Sequence, residues 1–247
     1  MNFLSLLKRS LIYKFKKKIS IDSDNIIKTS LDELFNVYGS DKANFFKIDQ
    51  RIGHGYSPYY EKKLEKYKNK KINILEIGSY AGASAAAFVK YFSNSKVYCF
   101  DINISNFKYK SKNIEVFGLD INNKKKVKKV LKKIFYEKKI NEFDIIIDDG
   151  SHNLSDILFG FKTFFQFLKT KGSYIIEDYK HPNYYEYNRN IDHVLVDEFL
   201  TNLKNKKIST SYIFDKKEQV DLINSIEKIE IFKGNLRDSD ISFITKK

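Results

Sequence analysis

From residue 72 onward, short apolar runs alternate with amphipathic stretches. The runs Ile72–Ile77, Lys96–Asp101, Asn113–Gly118, Phe143–Asp148 and Ser173–Glu177 are rich in Ile, Leu, Val and aromatics, as expected of parallel strands covered on both faces. Helical spacing recurs over Gly82–Phe92, Lys124–Lys139 and Leu154–Leu168. The tyrosine-rich loop Tyr179–Arg189 leads to helices near Ile191–Leu203 and Lys216–Ile226. Two last runs, Lys228–Phe232 and Asp240–Thr245, are spaced as an antiparallel pair at a sheet edge. Repeated strand–helix units imply right-handed crossovers. The pattern predicts an α/β fold: a doubly wound, mostly parallel seven-stranded sheet with an antiparallel C-terminal strand pair.

Residues 1–70 read differently, as a helical N-terminal extension or cap ahead of a domain spanning 71–247. Leu4, Leu7, Leu11 and Phe15 form one helical stripe, and residues 1–20 hold six basic residues and no acid. Leu4 to Leu7 is too short an apolar region for a secretory signal, and no small-residue cleavage site follows. Such a helix can lie on an anionic membrane or pack on a partner subunit of a homo-oligomer. Simple packing is the expectation. A second helical region, 30–68, is interrupted by Tyr38-Gly39-Ser40-Asp41-Lys42 and by His54-Gly55-Tyr56-Ser57-Pro58-Tyr59-Tyr60.

No apolar run approaches the roughly 18–20 residues of a membrane span. The single cysteine, Cys99, lies within an apolar strand, where a buried inert thiol is expected. These features suit a reducing cytoplasm, with any membrane contact peripheral, at the inner face. The net charge of +14 points at first to nucleic acid. Yet Arg9, Arg51, Arg189 and Arg237 are the only arginines, and lysines supply the rest of the 45 basic residues. Dedicated readers of phosphates and base edges favour the bidentate fork of arginine. The lysines of Lys124–Lys139 coat one side of a helix whose other side holds Val127, Val130, Leu131 and Ile134. A solvated face is expected, and no nucleic-acid partner.

Chemistry-bearing residues gather at the predicted strand ends, where open α/β sheets bind their ligands. Glu76-Ile77-Gly78-Ser79-Tyr80-Ala81-Gly82 ends the first strand. Gly78 lets the chain turn sharply, and Gly82 lets the next helix start close by. Asp101 ends the second strand about 20 residues beyond the loop, where a carboxylate can take both hydroxyls of a ribose. A dinucleotide site is the rival. Tyr80 fills the middle-glycine position such a site needs, and Glu76 repels phosphates while suiting a cationic or amino-acid-bearing ligand. Two strands further on lie Asp148-Asp149-Gly150-Ser151-His152 and Glu177-Asp178. Three carboxylates converging on one rim repel unless a cation sits among them. Oxygen ligation favours Mg²⁺, with Mn²⁺ a substitute. A plainer reading has Asp148, Asp149 and Ser151 capping the helix from Asn153, with Glu177-Asp178 a solvated loop.

Glu76-x-Gly78-x-x-x-Gly82, Asp101 and Asp120 after the third strand together resemble a class I S-adenosylmethionine-dependent methyltransferase over residues 72–245. The resemblance implies a glycine loop and acid holding the methionine part of the cofactor, a second-strand acid on ribose, and a third-strand acid near adenine. Carried over by position, the cofactor residues are Glu76, Gly78, Tyr80, Gly82, Asp101, Asp120 and Asp148. For Asp120, capping of the helix from Asn122 stays open as an alternative.

Asp149-Gly-Ser-His152 followed by Ile176-Glu177-Asp178 is similar to the metal-dependent sugar O-methyltransferases of macrolide tailoring, the mycinamicin and macrocin type. Related sequences occur in clusters for bacterial surface polysaccharides. Gly39–Lys42 and His54–Glu61 resemble the pre-core segment that helps cover the cofactor in that group. The resemblance implies Asp149, Glu177 and Asp178 as metal ligands, and His152 and Asp149 as the catalytic pair. His152 would be the base, with a reference pKa of about 6.5. One departure is the stretch ahead of the core, too short for the extra domain of the macrolide enzymes, so their oligomer architecture and large substrates are not expected here. The implied reaction is Mg²⁺-dependent methyl transfer to a sugar hydroxyl. A nucleotide-activated capsule or lipopolysaccharide sugar, a heptose for example, is the expected acceptor. His54 and His181 are weaker base candidates, Tyr184, Tyr185 and Tyr187 are rings that could stack on a sugar, and His193 reads as structural. A cephalosporin-hydroxylase-like enzyme and a small-molecule O-methyltransferase remain the enzyme alternatives.

Overall fold

The computed structural model describes residues 3–23, 29–189 and 194–247. Seven strands make the main sheet: β1 (Ile72–Ile77), β2 (Ser95–Asp101), β3 (Ile114–Gly118), β4 (Phe143–Asp148), β5 (Leu168–Glu177), β6 (Ile226–Lys233) and β7 (Asp240–Lys246). Their order is β6-β7-β5-β4-β1-β2-β3, and only β7 runs antiparallel to its neighbours. The helices are α1 (Phe3–Phe15), α2 (Leu31–Tyr38), α3 (Ser57–Leu64), α4 (Ala83–Tyr91), α5 (Lys124–Lys138), α6 (Leu154–Phe164), α7 (His181–Tyr184), α8 (Val196–Lys204) and α9 (Lys216–Ser225).

The doubly wound sheet is the expected one, with two shifted boundaries. The helix expected to reach Leu168 stops at Phe164, and a short 3₁₀ turn at Phe165–Phe167 hands the chain to a longer β5. The helix expected near Ile191 is described from Val196; Ile191 and His193 lie outside the described residues.

Alternate residues of each central strand feed two cores. Leu75, Ile77, Tyr98, Phe100 and Ile146 pack with residues from α5, α6, α8 and α9. Ile74, Val97, Cys99, Ile145 and Ile147 pack on the other face with Phe35, Tyr60, Leu64 and Phe88 of α2, α3 and α4. Residues 31–64 therefore share a core with the sheet. α2 forms for local reasons: Ser30 and Glu33 make a reciprocal capping box, and Gly39 closes the helix in the left-handed region.

α1 departs from simple packing. It rests on the domain through Tyr13, edge-on against Phe107. The stripe Leu4, Leu7, Leu11 and Phe15 is exposed. No helix among the described residues is long and apolar enough to cross a membrane.

The sheet register sets the functional rim. Ile77 lies beside Phe100 in β2 and Asp148 in β4, and Asp148 lies beside Ile176 in β5. Gly78, Asp101, Asp149 and Glu177 therefore emerge along one edge, on both sides of the switch between β1 and β4 where crossovers diverge.

Candidate active site

Beyond β1, β2 and β3 a cleft of about 340 Å³ opens, lined by Gly78, Tyr80, Asp101, Asp120 and Asp149 among others. Gly78 has φ +84°, and a Cβ there would come 1.9 Å from the carbonyl oxygen of Asp149. Only glycine lets the loops after β1 and β4 cross this closely. Asp101 organises the opposite wall, its carboxylate accepting the backbone N–H of Tyr80 at 2.7 Å and that of Asn103 at 2.5 Å. Tyr80 is 67% exposed, with φ +39°. The helix-cap alternative for Asp120 does not hold: Asn123 caps α5, accepting from the Lys126 amide. Asp120 accepts from the Asn122 amide and faces the cleft.

Three expected cofactor residues lie off the cleft wall. Glu76 is fully buried beneath the loop, accepting from the Ser84 hydroxyl. Burial lifts its carboxyl to about 7, against the pull of Lys42. Gly82 is the left-handed N-cap of α4, pressed against the Phe107 ring. Asp148 points into the core, its Oδ2 without a hydrogen-bond partner among the described residues, and burial raises it to about 8.

The second rim follows β4 and β5. Asp149, His152 and Asp178 each bring a ligand atom to within 4.8 Å of the others. His152 Nε2 lies 3.7 Å from Asp149 Oδ1. Its Nδ1 is buried and unpartnered among the described residues. His152 and Asp178 both sit in the left-handed backbone region, φ +56° and +49°, a conformation that costs free energy and is concentrated at functional sites. Asp149 and Asp148 do not cap α6; Asn153 occupies the cap position, and Ser151 donates instead to Asp156. Glu177 stands outside the cluster. It is buried, paired with Lys42 Nζ at 2.5 Å and hydrogen-bonded by the Tyr60 hydroxyl. A larger groove, about 560 Å³ between α5 and α6, is lined chiefly by lysines and apolar side chains.

Residues 60–233 match the FtsJ-like methyltransferase family. The chain belongs to that family. Among curated proteins it is 26% identical over 158 residues to the mycinamicin VI 2''-O-methyltransferase of Micromonospora griseorubida, covering 61% of this chain and 36% of that protein. It is also 26% identical over 132 residues to the demethylmacrocin O-methyltransferase of Streptomyces fradiae, covering 51% and 32%. The chain thus spans about a third of the length of these relatives. Its fold matches MycE, a methyltransferase of the mycinamycin biosynthetic pathway solved with Mg, SAH and mycinamycin VI. The TM-score is 0.67 at 19% identity, over 89% of this chain and 55% of that one.

In this FtsJ-like methyltransferase the segments Gly39–Lys42 and His54–Glu61, expected to cover the cofactor, do not line the cleft but reach the second rim. Lys42 is buried and places Nζ 2.5 Å from both Asp149 Oδ2 and Glu177 Oε2. Burial opposes its charge, but the carboxylates of Asp149, Glu177 and Glu76 hold the ammonium protonated well above the ordinary lysine range. Tyr56 donates its hydroxyl to Asp178. His54 Nδ1 lies 3.4 Å from Asp178, and despite burial that hydrogen bond and charge lift its pKa to about 9. His181 packs its ring 5.5 Å from His152 and 4.2 Å from Tyr185. Lys42 is the functional residue that sequence reasoning leaves without a role. Its partners are 107 and 135 residues away, and no local spacing signals them.

Proposed function

We propose that this chain is a Mg²⁺-dependent O-methyltransferase that moves the methyl group of S-adenosylmethionine to a sugar hydroxyl. The observation that carries the reading is the gathering of Asp149, His152 and Asp178 beside a glycine-loop cleft that Asp149 also lines. In this reading Gly78, Tyr80, Asp101 and Asp120 receive the cofactor, with Asp101 facing ribose and Asp120 the adenine end. Glu76, Gly82 and Asp148 act from beneath, shaping the loops.

The second rim fits a hard divalent cation. Its donors are the carboxylates of Asp149 and Asp178 with the His152 imidazole beside them, and Lys42 pairs with only one Asp149 oxygen, Oδ2, while Oδ1 faces His152. Asp149 and Asp178 would hold the ion. Glu177, expected as a third ligand, lies outside that cluster with its two oxygens held by Lys42 and Tyr60, so we assign it to anchoring Lys42. Bound Mg²⁺ supplies Lewis-acid chemistry that lowers the pKa of a coordinated hydroxyl. His152 would take the proton from the acceptor hydroxyl as that oxygen bonds to the methyl carbon and the carbon–sulfur bond of the cofactor breaks, leaving S-adenosylhomocysteine. Asp149 orients the His152 ring. Tyr185 and Tyr187 offer rings to an acceptor beside His181, whereas the Tyr184 ring lies under Lys233 and Arg237.

The mycinamicin and macrocin relatives support a sugar hydroxyl as acceptor. Nucleotide-activated sugars for capsule or lipopolysaccharide, heptoses included, are the acceptors to screen first. Incubation of a nucleotide-sugar panel with S-adenosylmethionine and Mg²⁺, read by mass spectrometry, should give one product heavier by a single methyl, and EDTA should suppress it. Methylation of catechols or RNA, with every sugar untouched, would overturn the reading.

A further inference from the structure

α1 is fastened to the domain by one side only. Arg9 Nη1 donates to the Ile102 carbonyl at 3.1 Å, and Lys16 Nζ donates to those of Ser105 and Asn106 at 3.0 and 3.2 Å. Tyr13 packs edge-on against Phe107. The other side is apolar and open: Leu7 is 46% exposed, Leu11 48% and Phe15 79%. Helical spacing sets Lys8 and Lys14 on the flanks of that stripe, and Lys17 follows it; all three are exposed.

Charge selects among the occupants that could cover such a face. Residues 1–20 carry six basic residues and no acid, so a second copy of α1 would bring like charges together. Nucleic acid would satisfy the lysines and leave Leu7, Leu11 and Phe15 in water. An anionic bilayer meets both features at once. Its phosphates take the lysines, and its interface takes the leucines and the phenylalanine.

We propose that α1 docks this protein on an anionic membrane surface, lying in the plane of the interface with Leu7, Leu11 and Phe15 inserted. At 13 residues α1 is too short to span a bilayer. Because Ile102 also lines the cofactor cleft, the docked helix holds that end of the cleft close to the membrane. The inference is independent of which acceptor is methylated.

Flotation of the full chain with phosphatidylcholine vesicles, with and without about 30% phosphatidylglycerol, tests it. The wild type should float with the anionic vesicles only, and about 0.5 M salt should weaken the binding. Leu7→Ser/Leu11→Ser/Phe15→Ser and Lys8→Gln/Lys14→Gln/Lys17→Gln should each cut the bound fraction about tenfold while the melting temperature holds, since these side chains are exposed. Should the triple serine variant melt early, the single variant Leu11→Glu must still lower flotation. The proposal is overturned by a wild type that stays unbound, or by binding indifferent to the apolar stripe. A lipid-free dimer that the serine variant dissociates, or a gel shift with RNA in place of flotation, overturns it equally.

Discussion

The rim beyond β1–β3 and the rim beyond β4–β5 are made from the same material, strand-end carboxylates and tight loops, yet they are finished differently. The first is an open cleft whose polar groups are held by amides of the strand-end loops themselves, as Asp101 is by those of Tyr80 and Asn103. The second is braced from a distance. Lys42, His54, Tyr56 and Tyr60 come from a segment that precedes the sheet and engage Asp149, Asp178 and Glu177. In the proposed reading the open rim exchanges the cofactor for its product, and the braced rim, whose carboxylates would otherwise repel, holds its charge ready before substrate arrives.

That contrast predicts a graded set of effects. The largest should follow loss of the braced centre. EDTA should abolish turnover and Mg²⁺ restore it, and Asp149→Ala should lower kcat by about 10³ or more with the fold intact by circular dichroism. Full turnover in excess EDTA would reduce the second rim to a structural ion-pair network.

Next comes His152, which touches the braced rim without receiving a brace of its own. His152→Ala should lower kcat by about 10², with S-adenosylhomocysteine affinity within about twofold of wild type, since a base acts mainly in the transition state. A near-normal kcat in a folded variant would move the base role to His181, whose ring is held neutral by burial and the neighbouring His152, rather than to His54.

Smaller still is the effect beneath the open rim. Glu76 has a folded pKa of about 7, raised from an ordinary value of about 4.3. The neutral carboxyl therefore contributes stability that is full below about pH 4 and is lost as pH rises through about 7. Glu76→Gln has no charge to bury. Its melting temperature relative to wild type should rise by about 3 °C or more between pH 5 and pH 8. A constant difference across that range would mean that Lys42 keeps Glu76 ionised throughout.

The difference between the rims also explains what the sequence could reveal. The seven strands, the antiparallel C-terminal pair at the sheet edge and the positions of Gly78, Asp101 and Asp149 are legible because they rest on local periodicity and on turns at strand ends. Asn123 displacing Asp120 as the cap of α5 is a boundary detail of a residue or two, where capping signals overlap. The bracing is different in kind. Nothing near Lys42 distinguishes a buried cross-link from a solvated lysine, because its partners come together only after the chain has folded. The exposed stripe on α1 was legible as a pattern, but its side chains could not be assigned to core or solvent until the neighbouring surface was known.

The most direct test of two separable rims is a crossed measurement on Asp101→Ala and Asp178→Asn. S-adenosylhomocysteine affinity is read by calorimetry and Mg²⁺ activation by turnover. Asp101→Ala should weaken S-adenosylhomocysteine about tenfold, roughly 1.4 kcal/mol, and leave the Mg²⁺ activation constant unchanged. Asp178→Asn should keep the affinity and lose the Mg²⁺ response. If both variants shifted both quantities together, or if Asp178→Asn turned over normally, the division into a cofactor rim and a metal rim would be contradicted.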